Sequence, residues 1–254
     1  MVVRAAAGGE AGLRNVARAV KRTATLAREE HAREQLDGAL PAAALRATLD
    51  DLDRLNAWFG GYALTLARVR RAEARLPRGR RLVVVDVGGG RGDLAVNLVR
   101  WARRRRRPVW VLVVDSDAAV LALARRRTAP YPEIVLVQAD ATALPLRDGV
   151  ADVAVAALTL HHLDHDAAVG CLASLAAVAS LAVVNDLLRT RGSLALVWLA
   201  TRLLRLHPVS RHDGPLSVRR AYSTGELAVL AGRAGVRARI RRYPWLARLV
   251  AEVA

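Results

Sequence analysis

Cysteine, phenylalanine and methionine each occur once in these 254 residues. The lone thiol, Cys171, excludes an intramolecular disulfide and a cysteine-rich metal site. Lys21 is the only lysine, although lysine and arginine together number 40 against 23 acidic residues. The excess of +17 is therefore arginine, spread along a chain rich in Ala, Leu and Val. That pattern reads as a coding bias, not as a nucleic-acid footprint. The histidines show no H-E-x-x-H spacing, so no metal is expected. No run of about 18 apolar residues exists, which excludes a spanning helix. Met1 to Glu10 is an alanine-glycine tract without the apolar core of a signal peptide, so the expected location is the cytoplasm.

What is present is a hydrophobic content of 53%, too high for general disorder, in a length that suits one large α/β domain with an added cap. Residues 1 to about 12 are expected to fray. Helical stretches are expected over Leu13 to Leu36 and from Pro41 onward, where Leu45, Leu49, Leu52 and Leu55 repeat at helical spacing. Gly60-Gly61 should bend or break the second stretch. Tyr62, Leu66 and Val69 continue an apolar face towards Pro77. From Arg81 strands and helices alternate, which implies a parallel sheet.

The densest signal is Leu82-Val83-Val84-Val85-Asp86-Val87-Gly88-Gly89-Gly90-Arg91-Gly92-Asp93. An apolar strand runs into a glycine turn, and a helix follows. Glycine allows positive φ and close backbone approach, and the helix start offers free N–H groups to a ligand. A dinucleotide fingerprint counted from Gly88 needs a small residue at position 93, where Asp93 stands. The glycines fall instead at alternate positions, Gly88, Gly90 and Gly92, after Asp86. A second strand, Val109 to Val114, ends in Asp115, roughly the ~20 residues downstream expected of a ribose-binding acid. A third, Ile134 to Val137, leads to Gln138-Ala139-Asp140-Ala141. A fourth, Ala151 to Leu158, leads to Thr159-Leu160-His161-His162, and a fifth, Leu181 to Val184, to Asn185-Asp186.

This D-x-G-x-G-x-G pattern and the acids after it resemble class I S-adenosylmethionine (SAM) dependent methyltransferases. The resemblance implies a Rossmann-like, doubly wound, seven-stranded, mostly parallel sheet with an antiparallel last strand and an N-terminal helical cap. It implies SAM as cofactor and S-adenosylhomocysteine as product. It puts Asp115 on the ribose and Asp140 and Ala141 beside the adenine. Asp86, Gly88, Gly89, Gly90, Gly92, Ser116 and Leu158 complete the expected cofactor contacts. The expected division is a cap over 1–78 and a SAM-binding domain over 79–254, with an insertion at 187–222.

That insertion holds an apolar helix-length segment around Leu194 to Leu206. A polar loop, His207 to Pro215, is expected after it. The pair could form a substrate lid, a plain core helix or a membrane-surface helix. Thr224 is the candidate N-cap of the next helix and Gly235 its stop. Val236 to Tyr243 alternates as a half-exposed strand, and Leu246 to Val253 reads as a final strand or a short helix. Val184 to Arg189, Arg211-His212-Asp213, Pro215 to Tyr222 and Leu55-Asn56 resemble bacterial small-molecule methyltransferases found with type III polyketide synthases. That resemblance implies a phenolic, quinone-like or polyketide acceptor.

His161 and His162 stand past the fourth strand and are candidate bases for such an acceptor. His212, beside Asp213, is a third. Asp186, Trp198, Asp213 and Tyr222 are candidate acceptor contacts. No Asn/Asp-Pro-Pro-Tyr motif follows the fourth strand, and Cys171 falls inside the next helix, against base-amine and cytosine C5 methylation. The leading expectation is O- or C-methylation of a small acceptor, with no nucleic-acid partner and the oligomeric state open. An RNA methyltransferase using the basic surface and a SAM-fold scaffold without turnover are the alternatives. The run Arg103 to Arg107 reads as a solvated turn; a phosphate or anionic-membrane contact is its other reading.

Overall fold

A computed structural model describes residues 26–254. The expected frayed stretch at 1–12 and residues 13–25 of the first expected helix lie outside the described residues. Seven strands form one sheet: β1 (Leu82–Val87), β2 (Val109–Asp115), β3 (Ile134–Gln138), β4 (Ala151–Ala157), β5 (Ala179–Leu187), β6 (Ala238–Tyr243) and β7 (Arg248–Val253). Their order is β3-β2-β1-β4-β5-β7-β6. Strands β1 to β5 pair in parallel, and β7 runs antiparallel to both β5 and β6. This is the expected doubly wound, mostly parallel sheet with an antiparallel last strand. β1 is aliphatic on both faces because both faces are covered, as central parallel strands require.

Helices α1 (Ala42–Trp58) and α2 (Gly61–Glu73) precede the sheet. Gly60 takes φ +67° between them, so the glycine pair breaks the helix as expected. Helices α3 (Asp93–Arg104), α4 (Ala118–Thr128), α5 (His165–Val178), α6 (Arg191–Leu203), α7 (Pro208–Arg220) and α8 (Thr224–Arg233) follow. One core joins the sheet to α5 and α8 through Leu172, Leu175, Leu227 and Leu230. The other joins it to α2 and α3 through Val69, Leu94, Leu98 and Trp101. Each such side chain contributes about 1.5–3 kcal/mol by burial. Cys171 sits in the first core, its thiol pushed up to about 12 by burial.

Several expectations need correction. Residues 26–34 carry no helix, and only Gln35–Asp37 forms a 3-10 turn. The segment finds its hydrogen bonds across the fold instead. Glu29 N–H donates to Arg219 O at 3.1 Å, and the N–H groups of Gln35 and Leu36 donate to the Asp213 carboxylate, each at 2.9 Å. The expected polar loop from His207 is helix α7. His207 Nδ1 accepts from Val209 N–H, and Pro208 stands in the first turn. Pro215 lies inside this helix, without an N–H to give. Gly214 lets α7 close on α6: a Cβ there would lie 3.1 Å from Thr201 Cγ2 and 3.2 Å from Val197 Cγ1. Tertiary packing thus overrides the glycine-proline break signal. Ser223, not Thr224, caps α8, in a reciprocal capping box with Glu226. Gly235, at φ +73°, follows the end of α8. Leu246 closes a 3-10 turn (Pro244–Leu246) before β7, so the final segment is a strand.

The run Arg103 to Arg107 lies at the end of the sheet opposite the glycine turn. Arg103 grips Glu133 through two contacts of 2.7 Å, and Arg107 lies 3.2 Å from Glu73. Part of this charge is already spent within the fold.

Candidate active site

Strand order reverses between β1 and β4, and the crevice beyond their carboxyl ends is where open α/β sheets bind ligands. A cavity of about 480 Å³ lies there. Asp86, Gly88, Gly89, Gly90, Asp115, Ser116, Asp140, Ala141 and Leu158 all line it. Gly92 does not; it sits behind, at φ +80°, as the cap of α3. Gly88 takes φ +64°, and a Cβ on it would lie 2.5 Å from Thr159 Oγ1. Gly90 takes φ +58° with nothing within 4 Å of the Cβ position. Its N–H donates to Asp115 Oδ2 at 2.9 Å, tying the turn after β1 to the end of β2.

The electrostatics favour a cation. Asp86 is fully buried, and its Oδ2 has no hydrogen-bond partner among the described residues. Burial, then Asp115 and Asp93, push its pKa up to about 7. Burial also raises Asp115. Asp140 is exposed, and its Oδ1 accepts from Thr142 N–H at 2.7 Å and from the Thr142 hydroxyl at 2.8 Å. A cradle left open by glycine, and the buried Asp86 carboxylate with one oxygen unpaired beside the half-buried Asp115, fit an adenosyl ligand bearing positive charge.

Sequence reading missed how the helical segment closes on this cavity. Arg91 pairs with Asp93 at 2.9 Å and with Asp50 on α1. Tyr62 donates to Asp53 Oδ1 at 2.6 Å, and burial raises its pKa. Both Asp53 and Tyr62 line the cavity. Asn185 Nδ2 donates to Gly61 O and to Thr65 Oγ1, each at 2.8 Å, fixing α2 to β5.

A second cavity, of about 90 Å³, adjoins the first. Leu36, Leu52, Leu158 and His162 line both. Its other walls include Glu34, Phe59, His161, Val197, Asp213, Leu246 and Arg248. His161 is buried, with Nδ1 2.7 Å from Asp186 Oδ1 and Nε2 3.7 Å from Glu34 Oε1. His162 is half-exposed, with Nδ1 2.7 Å from Asp37 Oδ1 and Nε2 4.0 Å from Glu34 Oε2. Burial would raise Asp186, but His161 and the Leu187 N–H outweigh it and hold the carboxyl low. Burial pushes Glu34 up to about 7 against the opposing pull of His162. Its Oε1 has no hydrogen-bond partner among the described residues. The sequence shows no metal spacing, yet the fold gathers ligand atoms of Glu34, His161 and His162 within 4.8 Å of one another. Glu34 carried no sequence signal, because it comes from the irregular segment 26–34.

Arg248 is the cation of this cavity wall. It is buried, Nη2 donates to Asn56 Oδ1 at 2.8 Å, and Nε and Nη1 lack partners among the described residues. Burial lowers its pKa to about 10.

Besides Gly92, four expected residues are not brought to a cavity wall. Asp186 lies behind His161 and pairs with it, and lines neither cavity. Trp198 faces outward, 47% exposed, under the Arg202 guanidinium at 4.1 Å. Tyr222 is buried in the core, with its hydroxyl donating to Leu163 O at 2.9 Å and Arg28 stacked on its ring. His212 is exposed on the outer face of α7, its Nδ1 2.8 Å from Asp213 Oδ1. Asp213 does line the smaller cavity, but its oxygens already accept from Gln35 and Leu36.

The strand order and glycine cradle define the fold class of SAM-dependent methyltransferases. Residues 84–180 match the family model described as a methyltransferase domain. Solved structures of the same fold include a SAM-dependent methyltransferase from Aquifex aeolicus, 18% identical, covering 68% of this chain and 81% of that one at TM-score 0.52. Magnesium protoporphyrin IX methyltransferase from Synechocystis, with bound SAM, is 14% identical over 85% of this chain and 98% of its own at TM-score 0.53. The CMeT domain of the citrinin polyketide synthase is 13% identical over 71% of this chain at TM-score 0.54; the match spans 48% of that chain. At these identities the likeness is one of fold. No curated protein sequence matches the chain.

Proposed function

We propose that the protein transfers the methyl group of SAM to a small apolar or phenolic acceptor, on oxygen or carbon, in bacterial secondary metabolism. The observation that carries this reading is the His161–Asp186 pair on a small, largely apolar cavity that shares four lining residues with the larger cavity of the glycine cradle. SAM, when bound, supplies a methyl already activated by its sulfonium.

The chain's own residues then have three tasks. Asp86, Gly88, Gly90, Asp115, Ser116, Asp140 and Ala141 hold the cofactor. Leu36, Leu52 and Leu158 exclude water between the two cavities and help align the acceptor; such orientation contributes roughly 7–11 kcal/mol. His161 takes the acceptor's proton on Nε2 while Asp186 fixes Nδ1–H, help of about 10²–10⁴-fold. His162, at the junction of the cavities, positions the acceptor beside it. Arg248 faces the oxygen that becomes negative as the proton leaves. Of the expected cap over 1–78, the described residues 26–78 close over the site, and the α6–α7 insertion at 187–222 supplies the outer wall of the acceptor site.

Kinship of fold with a polyketide synthase methylation domain agrees with such an acceptor. The test is incubation with methyl-labelled SAM and a panel of phenols, quinones and polyketides. Label should pass to an acceptor of this class, and His161→Gln should abolish transfer while SAM still binds. Arg248→Met should lower transfer most for acceptors that react as anions. Binding of SAM with no labelled product across the panel rejects this reading in favour of a scaffold. Transfer to RNA alone, steeply weakened by salt, rejects it in favour of a nucleic-acid enzyme.

A further inference from the structure

Helix α6 is amphipathic on the wrong side for a solvent-facing helix. Ala195, Trp198, Leu199, Arg202 and Leu203 fall at i, i+3, i+4, i+7 and i+8, and all five are exposed. Leu203 is 71% exposed. The Pro244–Leu246 turn packs against this helix, with Trp245 at 89% exposure. Leu246 in turn rests on Gly60, two residues past the exposed Trp58. Three indoles and two leucines thus gather on adjoining elements of one surface. Among the described residues nothing covers this apolar area, and such a cluster signals a missing partner.

The charge around it says which partner. No Asp or Glu occurs between Asp186 and Asp213, a stretch with exposed Arg191, Arg202, Arg205 and Arg211. No Asp or Glu occurs between Glu226 and Glu252, where exposed Arg241 and Arg242 precede Trp245. A second copy of the chain docked face to face would set these arginines against each other. An anionic lipid surface complements them. Indole rings with a guanidinium stacked on one of them suit the headgroup level, where one edge is wet and the other apolar. We propose that the face formed by Trp58, Trp198, Leu199, Leu203 and Trp245 docks on an anionic lipid surface. Among the described residues no helix is long and apolar enough to cross a membrane, so the contact is peripheral. The neighbours of these residues, Phe59, Val197 and Leu246, wall the smaller cavity, so docking brings that cavity beside the lipid.

The proposal stands apart from the chemistry above, and its test reads binding alone. The full chain is sedimented with vesicles of phosphatidylcholine, with and without phosphatidylglycerol. The chain should pellet with the anionic vesicles, and brominated lipid should quench its tryptophan emission. The double variant Leu203→Gln, Trp245→Ser should partition about tenfold less while its SAM affinity stays unchanged, showing that the fold survives. Equal binding by the variant, or no binding by the wild type, overturns the proposal. So does an ultracentrifuge result in which the wild type dimerises and the variant does not, because the face would then be a self-interface.

Discussion

His161 and Asp186, 25 positions apart on the segments that follow and form neighbouring strands, meet at 2.7 Å with both side chains buried. The carboxylate faces Nδ1, which leaves Nε2 as the ring nitrogen on the side of Glu34 and the smaller cavity.

Asp186→Asn keeps the volume and removes the charge that fixes the imidazole. The methyl-transfer rate should fall by about 10²–10⁴-fold. SAM affinity, measured by calorimetry, should stay within a factor of two to three. A rate close to wild type would remove the pair from the mechanism.

His162→Ala should lower the rate more than it weakens SAM binding, since His162 lines both cavities. His212→Ala should leave the rate unchanged, because that ring is exposed on the far side of α7. Single-turnover rates of the two variants, compared with their SAM dissociation constants, test both statements. A slow His212 variant with normal stability would contradict the assignment.

Asp86 has its folded-state pKa raised to about 7 by burial, then by Asp115 and Asp93. A positively charged ligand favours the ionised carboxylate, so binding should expel a proton near neutrality. Affinity for SAM should therefore rise as pH climbs from about 6 to about 8, by up to about tenfold in all, and level off above that. Titrations in buffers of different ionisation enthalpy count the proton released. Asp86→Asn should flatten the pH profile; a profile that stays steep would assign the proton elsewhere.

Glu34 is also raised, from 4.5 to about 7, chiefly by burial. Its folded state holds the proton more tightly than the unfolded chain does. The stability this confers is complete below the unfolded pKa and is lost as pH rises through the folded one. The loss between about pH 4.5 and about pH 7 is at most about 3 kcal/mol. Glu34→Gln should remove that slope, so its melting temperature should overtake the wild type above neutral pH. Parallel melting curves across the range for both proteins would refute a buried, proton-holding Glu34.

Much of the framework was legible from local pattern. Short β-branched runs such as Val83-Val84-Val85, bounded by a glycine turn, read as strands covered on both faces, and alternate glycines after Asp86 mark a turn that takes positive φ. The cofactor side of the site follows from that order, because each acid ends a parallel strand at the same sheet edge. The acceptor side was read less well. Asp186 was expected to touch the acceptor and instead holds His161; Trp198 and Tyr222 were expected at the pocket and lie outside it.

The sequence alone determined the sheet, the glycine cradle and the acids at the strand ends, because those depend on residue periodicity and on backbone conformations open only to glycine. Tertiary structure decided the rest. The segment 26–34 gives up helix because α7 offers its backbone better acceptors, and this brings Glu34 to the two histidines. Helix α7 survives Gly214 and Pro215 because α6 packs against it. Arg248, on the last strand, ends beside the smaller cavity only because β7 inserts between β5 and β6. Contacts between segments distant in the chain leave no periodic mark on any one of them, so only the folded chain reveals them.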